Sequence, residues 1–336
     1  MSKPLRIAVA GVGRIGRMHA AIIAQRTPGA VLAGVYDVAQ DLAQEVATSL
    51  GADAASSVGE LIASDDVDAI AICTSTDTHV DIAVEAAAAG KAIFCEKPIS
   101  MNLAEVDRCL SAVNAAGVPF MVGFNRRFDP SHQAVRDAVQ AGRVGTVRLA
   151  HIISRDPAPP PISYIKVSGG MFVDMTIHDF DMARYLVGSP VVRVMAQGGV
   201  TVDPAIGEAG DVDTAITVLT HANGVITTID NCRQASYGYD QRVEVFGSLG
   251  SATSQNLREN YAEVLTASGG STAVLPDFFI ERYAAGYLLE WAAFVSYVRD
   301  GGPSPVPGEA GRAALVLGEA AWESFRSGVP VDVTGG

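Results

Sequence analysis

The sequence is poor in cysteine and in basic residues, and these two deficits exclude several classes of protein. Its 336 residues include four cysteines, Cys73, Cys95, Cys109 and Cys232, with no Cys-x-x-Cys pair and no short Cys/His spacing. Zinc ribbons, haem attachment and disulfide frameworks are therefore excluded, and reduced thiols in a cytoplasmic protein are expected. With 24 Lys and Arg against 37 Asp and Glu, the net charge of −13 argues against nucleic acid and anionic membranes as partners.

Long hydrophobic runs are also missing. The longest stretch without a charged residue, 109–125, contains Asn114, Gly117 and Pro119, so we expect no membrane-spanning helix. The N-terminal apolar run stops at Gly11 and is too short for a signal peptide, which again favours a cytoplasmic protein. The sequence does have 49% apolar and only 18% charged residues, which is enough to bury the cores of two domains.

Residues 1–124 predict an N-terminal Rossmann domain of the doubly wound α/β class. Short β-rich runs alternate with alanine-rich segments of helical periodicity, and near-continuous apolar strands are typical of a parallel sheet covered on both faces. Strands are predicted at 5–10, 31–37, 68–73, 91–95 and 119–124, and helices at 15–25, 42–50, 80–89 and 103–115.

Residues 125–336 predict a C-terminal domain of helices and strands built on an antiparallel or mixed sheet. Long β-branched, alternating stretches prevail here, and Asn223-Gly224 predicts a hairpin because Asn-Gly suits turn positions with positive φ. Strands are predicted at 144–154, 191–202, 213–219, 224–232, 242–247, 261–267 and 272–275, and helices at 131–141, 177–187, 281–299 and 309–327.

A glycine-rich turn follows the first predicted strand and opens the first predicted helix. In this Gly-x-Gly-x-x-Gly pattern, Gly11 makes a tight turn, Gly13 lets a pyrophosphate approach, and Gly16 lets the helix pack on the strand. Together with Arg14 and Ile15, these glycines would hold the anion at the helix N-terminus. A flexible glycine-rich turn is the alternative, but the preceding strand and the following helix favour a dinucleotide site.

The cofactor is predicted to be NAD because of the acidic residue that ends the second strand. Asp37 stands about 20 residues after the glycine turn, where a carboxylate binds both ribose hydroxyls. The same carboxylate would repel the 2′-phosphate of NADP, and no arginine follows at Val38 or Ala39. A solvated strand end is the alternative interpretation of Asp37.

Two further clusters contain groups suited to proton transfer. Glu96-Lys97-Pro98 ends the fourth strand, where ligands of open α/β sheets bind, although a surface Lys–Glu pair fits equally well. Asp174 and His178 are four residues apart, so on a helix the carboxylate can touch the imidazole and support it as a general base. A capping aspartate beside a structural histidine is one alternative. A metal site of Asp174, His178 and Asp181 is another, disfavoured because no further His or Cys completes it.

Taken together, the motifs resemble those of the glucose–fructose oxidoreductase/inositol dehydrogenase (Gfo/Idh/MocA) family. The resemblance spans nearly the whole chain, and segment 170–181 is most similar to that of bacterial myo-inositol 2-dehydrogenases. The matching segments are Gly11-x-Gly13-x-x-Gly16, Cys73-Thr74-Ser75-Thr76 with His79, Glu96-Lys97-Pro98, 123–129 and Asp174-x-x-x-His178-Asp179.

The resemblance implies a role for each matching residue. Lys97 would hydrogen-bond the reacting hydroxyl group and also touch the cofactor, Asp174 would hold the substrate and His178, and His178 would take the proton. The nicotinamide side would be lined by Thr74, Ser75 and His79, with Glu96 near its ribose. Substrate contacts are implied for Arg127 and, more loosely, for Tyr239 and Tyr283. No metal is implied.

A cyclic polyol presents hydroxyl groups on all sides, so its pocket needs several polar side chains. Arg155 and Asp156 could instead form an exposed ion pair, and the tyrosines could be core aromatics. The polar side chains available for this pocket are Arg127, Arg155, Asp156, Tyr164, Asp174, Tyr239 and Tyr283.

The expected function is NAD-dependent oxidation of a secondary alcohol of a cyclic polyol. The resemblance implies myo-inositol as substrate, with 2-keto-myo-inositol (scyllo-inosose) and NADH as products. It also implies that residues 125–336 are an α/β domain with an open, largely antiparallel sheet, which serves substrate binding and forms a homotetramer. Scyllo-inositol or another sugar is the alternative substrate. A glycosidase that uses NAD internally, a metal-dependent lyase and a silent NAD-sensing scaffold are the alternatives of other classes, and Lys97 with His178 argues against the scaffold.

Overall fold

The computed structural model describes residues 3–334, which divide into two compact units. The first unit contains the described residues up to Asn125 together with Ala285–Arg312, and the second contains Arg126–Ala284 and the described residues from Ala313 onward. The sequence analysis predicted that 125–336 form one domain. In the structure, Ala285–Arg312 from that range groups with the first unit. Its place in the first unit has a packing reason, since the Trp291 ring lies 4.6 Å from that of Phe94 in the first sheet.

The strands are numbered along the chain. They are β1 (Leu5–Ala10), β2 (Ala30–Tyr36), β3 (Asp53–Ala54), β4 (Ala69–Ile72), β5 (Ala92–Glu96), β6 (Phe120–Gly123), β7 (Val147–Arg155), β8 (Val191–Gly199), β9 (Thr214–His221), β10 (Ile226–Cys232), β11 (Asp240–Gly247), β12 (Gly250–Ser254), β13 (Glu263–Thr266), β14 (Gly269–Thr272) and β15 (Val331–Asp332).

The α-helices are numbered in the same way. They are α1 (Arg14–Arg26), α2 (Gln40–Leu50), α3 (Val58–Ala63), α4 (His79–Ala88), α5 (Leu103–Ala116), α6 (Pro130–Gln140), α7 (Ile162–Ile165), α8 (Ile177–Val187), α9 (Pro204–Glu208), α10 (Phe279–Arg282), α11 (Ala284–Asp300) and α12 (Gly308–Ser327). Among the described helices, none combines the length and the apolar character that crossing a bilayer requires.

The first unit is built on a six-stranded sheet of order β3-β2-β1-β4-β5-β6 in which every pairing is parallel. This confirms the predicted doubly wound fold. Strand β4 is buried along its whole length, as expected for a strand covered on both faces. The strand order reverses between β1 and β4, and ligands of such sheets bind beyond the carboxyl ends of the strands at that point.

The second unit is built on a seven-stranded sheet of order β12-β11-β7-β10-β9-β8-β15. Only the β7–β10 pairing is parallel, which confirms the open, largely antiparallel sheet. The predicted hairpin joins β9 to β10, with Gly224 at φ +83° in the turn. Burial alternates along β9 and β11, so one face of the sheet is packed and the other is exposed.

Several elements differ from the sequence prediction. Strands β3 and β15 and helices α7 and α9 were not predicted, and the strand predicted at 272–275 lies at Gly269–Thr272. Three further differences have a local cause. The helix predicted at 281–299 is two helices, α10 and α11, because Tyr283 leaves helical geometry at φ −107° and ψ 17°. Strand β12 was not predicted because its sequence, Gly-Ser-Ala-Thr-Ser, has little β-propensity of its own; pairing with β11 holds it in the sheet. Helix α3 was missed because its six residues are too few to show a period.

Candidate active site

In the turn between β1 and α1, two glycines lie against neighbouring backbone and a third faces open space, an arrangement that suits a dinucleotide. Gly11 has φ +85°, and a Cβ there would lie 2.7 Å from the backbone of Cys73. A Cβ on Gly16 would lie 1.8 Å from the Gly11 carbonyl oxygen, so α1 packs directly on the turn. At Gly13, by contrast, a Cβ would meet no described atom within 4 Å. This open position at the N-terminus of α1 fits the pyrophosphate of NAD.

Asp37 is fixed beside this turn rather than left as a solvated strand end. One carboxylate oxygen accepts a hydrogen bond from the Val12 backbone N–H at 2.8 Å, and the other accepts one from the Ala39 N–H at 2.9 Å. The neighbouring Val38 is 86% exposed and uncharged. The arrangement supplies an acceptor for ribose hydroxyls, and the residue that follows Asp37 carries no positive charge, which favours NAD.

Replacing Asp37 with serine and Val38 with arginine should turn the cofactor preference towards NADP. The ratio of kcat/KM for NADP to that for NAD should rise on the order of a hundredfold, because juxtaposed like charges cost several kcal/mol in binding. The control is Asp41→Ser, an exposed acid at the start of α2, which should leave the ratio unchanged. An unchanged ratio in the double variant would remove Asp37 from cofactor selection.

His79 connects the ends of β4 and β5. It is buried, and its Nδ1 and Nε2 lie 2.9 Å from the Pro98 carbonyl oxygen and 3.1 Å from that of Thr74. Burial lowers the pKa of His79, while the contacts with the two carbonyl oxygens act in the opposite direction. Thr74 is held in turn by a hydroxyl contact of 2.7 Å with Thr78. His79 therefore braces the backbone on both sides of the expected nicotinamide position, while its contact with the cofactor, and those of Thr74 and Ser75, stay predictions.

Glu96 and Lys97 do not form an exposed surface pair. Both residues are only half-exposed at the carboxyl end of β5. One carboxylate oxygen of Glu96 lies 2.7 Å from His19 Nε2, and the other accepts a hydrogen bond from the Lys97 backbone N–H at 3.1 Å. The Lys97–Pro98 peptide bond is cis. The Glu96 carboxylate thus binds the backbone that carries Lys97.

Asp174 lies one turn before α8 rather than inside it. Residues Met171–Met175 form a single π-helical turn that starts after Gly170, whose φ is +73°. Asp174 is not the cap of α8, because its carboxylate accepts a hydrogen bond from the Tyr164 hydroxyl at 2.9 Å and pairs with Arg233 at 3.2 Å. His178 follows in the first turn of α8 and is half-buried. The capping alternative is therefore wrong.

Arg233, which the sequence analysis missed, holds Asp174 in place. It directly follows β10, is 1% exposed, and lies between two carboxylates. Its Nη2 is 3.2 Å from Asp211, and Asp211 accepts a hydrogen bond from the Met171 N–H at 2.9 Å. Arg233, which follows β10, thus holds Asp174 directly and holds the start of the π-helical turn through Asp211. No motif marks Arg233, and only its contact with Asp174 reveals it.

Buried ion pairs fix the start of α8. One of them involves Asp181, which the sequence analysis considered as a metal ligand together with Asp174 and His178. Asp179 lies 2.6 Å from Arg126, and Asp181 accepts a hydrogen bond from Arg127 Nε at 2.8 Å. Asp181 is therefore paired with an arginine rather than directed at a metal with His178. Within residues 3–334, no group of three metal-ligating side chains comes together. The substrate contact predicted for Arg127 stays a prediction, next to this observed pairing.

Asp156 lies in the second unit, near the charged groups of Arg126, Arg233 and Asp174. Burial raises its pKa to about 6. Arg126 and Arg233 lower the pKa, and Asp174 raises it further. The alternative interpretation, an exposed ion pair between Arg155 and Asp156, is wrong, since Arg155 donates a hydrogen bond to Asp230 at 3.1 Å. A half-buried carboxyl group close to Asp174 is suited to accept hydrogen bonds from a polyol.

Tyr239 and Tyr283 lie together in the second unit. Both are buried, with ring centroids 6.2 Å apart. The Tyr283 hydroxyl donates to Gln241 at 3.3 Å, while burial and the nearby Asp156 raise the pKa of Tyr239 well above its ordinary value. These hydroxyl groups therefore remain protonated donors. Their contact with substrate stays a prediction.

Comparison with known proteins agrees with the geometry. The model of the Gfo/Idh/MocA oxidoreductase family, with an NAD-binding Rossmann fold, matches residues 5–124, and that of the Gfo/Idh/MocA C-terminal domain matches residues 132–253. The chain belongs to this family. It is accordingly an NAD-dependent dehydrogenase that acts on a CH–OH group.

Relatives of this family member are similar over nearly the full length. The myo-inositol 2-dehydrogenase of Thermotoga maritima is 47% identical over 322 residues, which is 96% of each chain. The inositol 2-dehydrogenase of Rhizobium meliloti is 44% identical over 95% of this chain and 96% of its own. The crystal structure of scyllo-inositol dehydrogenase from Lactobacillus casei with bound NAD(H) and scyllo-inositol is 27% identical, with a TM-score of 0.92 over 98% of this chain and 99% of its own.

Proposed function

We propose that this dehydrogenase oxidises one secondary hydroxyl group of myo-inositol to the ketone, giving 2-keto-myo-inositol (scyllo-inosose) and NADH. The observation that carries the proposal is the fixed Asp174, held by Tyr164 and Arg233 four residues before His178. It stands in a chain that is 47% identical to a myo-inositol 2-dehydrogenase along nearly its whole length. Scyllo-inositol is the second candidate substrate, because the Lactobacillus casei relative was crystallised with it.

Each side chain has a distinct part in the proposed reaction. His178 removes the hydroxyl proton, and Asp174 orients the histidine and stabilises its protonated form. Lys97 donates a hydrogen bond to the same oxygen, and its positive charge stabilises the developing alkoxide. The chemistry that NAD supplies when bound is acceptance of the hydride. Gly11, Gly13 and Gly16 with Arg14 and Ile15 would bind its pyrophosphate, Asp37 the adenosine ribose, and Thr74, Ser75, His79, Glu96 and Lys97 the nicotinamide half.

The polar region around Asp156 would recognise the remaining hydroxyl groups. Asp156 would supply an acceptor, and Arg127, Tyr239 and Tyr283 would supply donors. An isomer with one hydroxyl inverted leaves a buried polar group unpaired, at a cost of about 1–3 kcal/mol. This penalty is sufficient to separate myo-inositol from its stereoisomers.

Substrate affinity should fall as the pH drops through about 6, where Asp156 becomes protonated. The pKa of this carboxyl group is raised, so its charged form, the stronger acceptor, predominates only above that pH. Measured from about pH 5 to about pH 8, the wild-type KM for the polyol should rise at low pH, and Asp156→Asn should remove this inflection. Asp137→Asn, an exposed acid on α6, should keep it. An inflection that survives in Asp156→Asn contradicts the role of this carboxyl group.

The proposed function is tested with a panel of polyols and sugars, each incubated with NAD or NADP. NADH formed with myo-inositol, and not formed by the His178→Ala protein, supports the proposal. Faster NADH formation with scyllo-inositol selects the second candidate. Product without net NADH indicates internal use of the cofactor, and neither product nor NADH in the presence of bound NAD contradicts a dehydrogenase of this substrate class.

We further propose a homotetramer built on the second sheet, in the cytoplasm. Phe246, Leu149 and Ile226 are paired across β11, β7 and β10 and are 41%, 50% and 40% exposed, so they form a continuous apolar stripe. Such a stripe favours association. The four cysteines are free thiols, as a reducing compartment would keep them. Light scattering should give four chains for the wild type and fewer for Leu149→Glu, and cell fractionation tests the compartment.

A further inference from the structure

Three side chains of the first unit form a hydrogen-bonded relay, and two of them, Trp291 and His19, have no part in the proposed reaction. Trp291 Nε1 on α11 donates a hydrogen bond to His19 Nδ1 on α1 at 2.8 Å. His19 Nε2 lies 2.7 Å from Glu96 at the end of β5, and Glu96 accepts a hydrogen bond from the Lys97 N–H with its other oxygen. The Trp291–His19–Glu96 relay therefore ends on the backbone of Lys97.

The chemistry of the relay determines which nitrogen of His19 carries the proton. An indole N–H is a donor only, so His19 Nδ1 must offer a lone pair to Trp291. The proton of the neutral ring is then on Nε2, where it is donated to the Glu96 carboxylate. A second proton on Nδ1 would face the indole N–H at 2.8 Å and break that contact. The relay thus joins a neutral histidine to a carboxylate rather than two opposite charges.

Packing leaves the relay little freedom. His19 and Trp291 are completely buried. The His19 ring makes edge contacts with Phe94, Tyr287 and Trp291, with centroids 5.3, 5.6 and 5.5 Å away. On the other side of Glu96, a Cβ on Gly123 would lie 3.2 Å from the carboxylate carbon. The carboxylate of Glu96 is consequently held in one position.

A second carboxyl group beside the relay lies in surroundings that disfavour its charge. Glu290 on α11 is fully buried, and neither of its oxygens has a hydrogen-bond partner among the described residues. Burial, and next the charge of Glu96, raise the pKa of Glu290 well above its ordinary value, which favours the protonated form. Glu96, by contrast, has a hydrogen-bond partner for each oxygen, His19 Nε2 and the Lys97 N–H.

The strand order places the Glu96 carboxylate on the nicotinamide half of the cofactor site. The dinucleotide crosses the carboxyl ends of the strands where their order reverses, between β1 and β4. Asp37 marks the adenosine half on the β2 side, so the end of β5 belongs to the other half. The nicotinamide ring is positively charged in NAD⁺ and neutral in NADH, and a fixed anion distinguishes these two states.

We propose that His19 is a positioning residue that holds the Glu96 carboxylate as a fixed anion at the nicotinamide end, and that this anion favours NAD⁺ over NADH. Binding of the oxidised cofactor is thereby strengthened before substrate arrives, and release of the reduced cofactor is assisted. The inference rests on the cofactor placement given under the proposed function, and it adds the selection between the two redox states.

The test measures the dissociation constants of NAD⁺ and NADH by titration calorimetry, without substrate. In Glu96→Gln, which keeps the shape and removes the charge, the ratio Kd(NAD⁺)/Kd(NADH) should rise about tenfold, the effect of one nearby opposite charge on an ionisation equilibrium. Glu85→Gln, an exposed glutamate on α4, makes the same charge change in the first unit and should leave the ratio unaltered.

Variants of His19 separate the positioning effect from the charge itself. His19→Phe keeps an aromatic ring but removes the donor, so the ratio should move in the same direction as in Glu96→Gln. His19→Gln retains an N–H donor and should restore the ratio in part. ¹⁵N NMR of the imidazole provides a readout independent of the cofactor, and the expected tautomer is protonated on Nε2.

Three results would overturn the inference. They are a ratio in Glu96→Gln within about twofold of the wild type, a folded Glu96→Gln protein that loses both cofactors equally, and an Nδ1-protonated His19 in the NMR spectrum. The proposed function fails in a different way, since a wild-type protein that binds NAD⁺ but oxidises no polyol leaves the ratio test intact. Circular dichroism confirms that each variant is folded before it is titrated.

Discussion

Replacing His178 with alanine is expected to lower kcat for the polyol by about 10²- to 10⁴-fold, the usual contribution of a general acid–base group. Without the imidazole, the hydroxyl proton has no positioned acceptor, although Asp174 and Lys97 remain. The KM for NAD should change little, because none of the cofactor contacts in the proposed function involves His178. Steady-state rates of NADH formation at saturating polyol measure the effect.

The pH profile and a control variant make this expectation specific. Wild-type kcat should rise with pH around the ordinary histidine pKa, roughly 6.5, and this rise should disappear in His178→Ala. Added imidazole should restore part of the activity. His151→Ala removes an exposed histidine of β7 and should keep the wild-type rate. Turnover within a few-fold of the wild type in His178→Ala would show that another group takes the proton.

The N-terminal half of the fold is predictable because its signals are local. The glycine spacing requires a tight turn at Gly11 and a close contact at Gly16, and the structure shows both. Helix α8 has the predicted limits, Ile177–Val187, since its apolar face and the Gly188 that follows define them. In such segments a pattern of fewer than about 20 residues determines the local structure.

The residues that support the site could not be predicted, because each one acts through a distant part of the chain. Arg233 is separated from Asp174 by 59 residues, and Trp291 from His19 by 272. An arginine after a strand or a tryptophan in an apolar helix has no pattern that names its partner. For the same reason, α11 was assigned to the second domain although Trp291 packs in the first unit.

Replacing Arg233 with methionine is expected to destabilise the protein by about 3–5 kcal/mol and to abolish most of its activity. Methionine fills the space but leaves the carboxylates of Asp174 and Asp211 in a buried region without their cation, the situation in which a broken ion pair costs this much. The π-helical turn then loses the contacts of Arg233 with Asp174 and with Asp211, so the Asp174 side chain is no longer held in one orientation. Urea unfolding measures the first effect and kcat/KM the second.

Two further variants distinguish the loss of the buried cation from a general loss of packing. Arg193→Met removes an arginine that is paired with Asp332 on the exposed surface, and it should leave the unfolding midpoint nearly unchanged. In Arg233→Met combined with Asp211→Asn, one uncompensated carboxylate is gone, so part of the stability should return while activity stays low, because Asp174 is still unsupported. If the double variant were less stable than Arg233→Met alone, the arginine would act through packing rather than charge, and the electrostatic account of this site would be wrong.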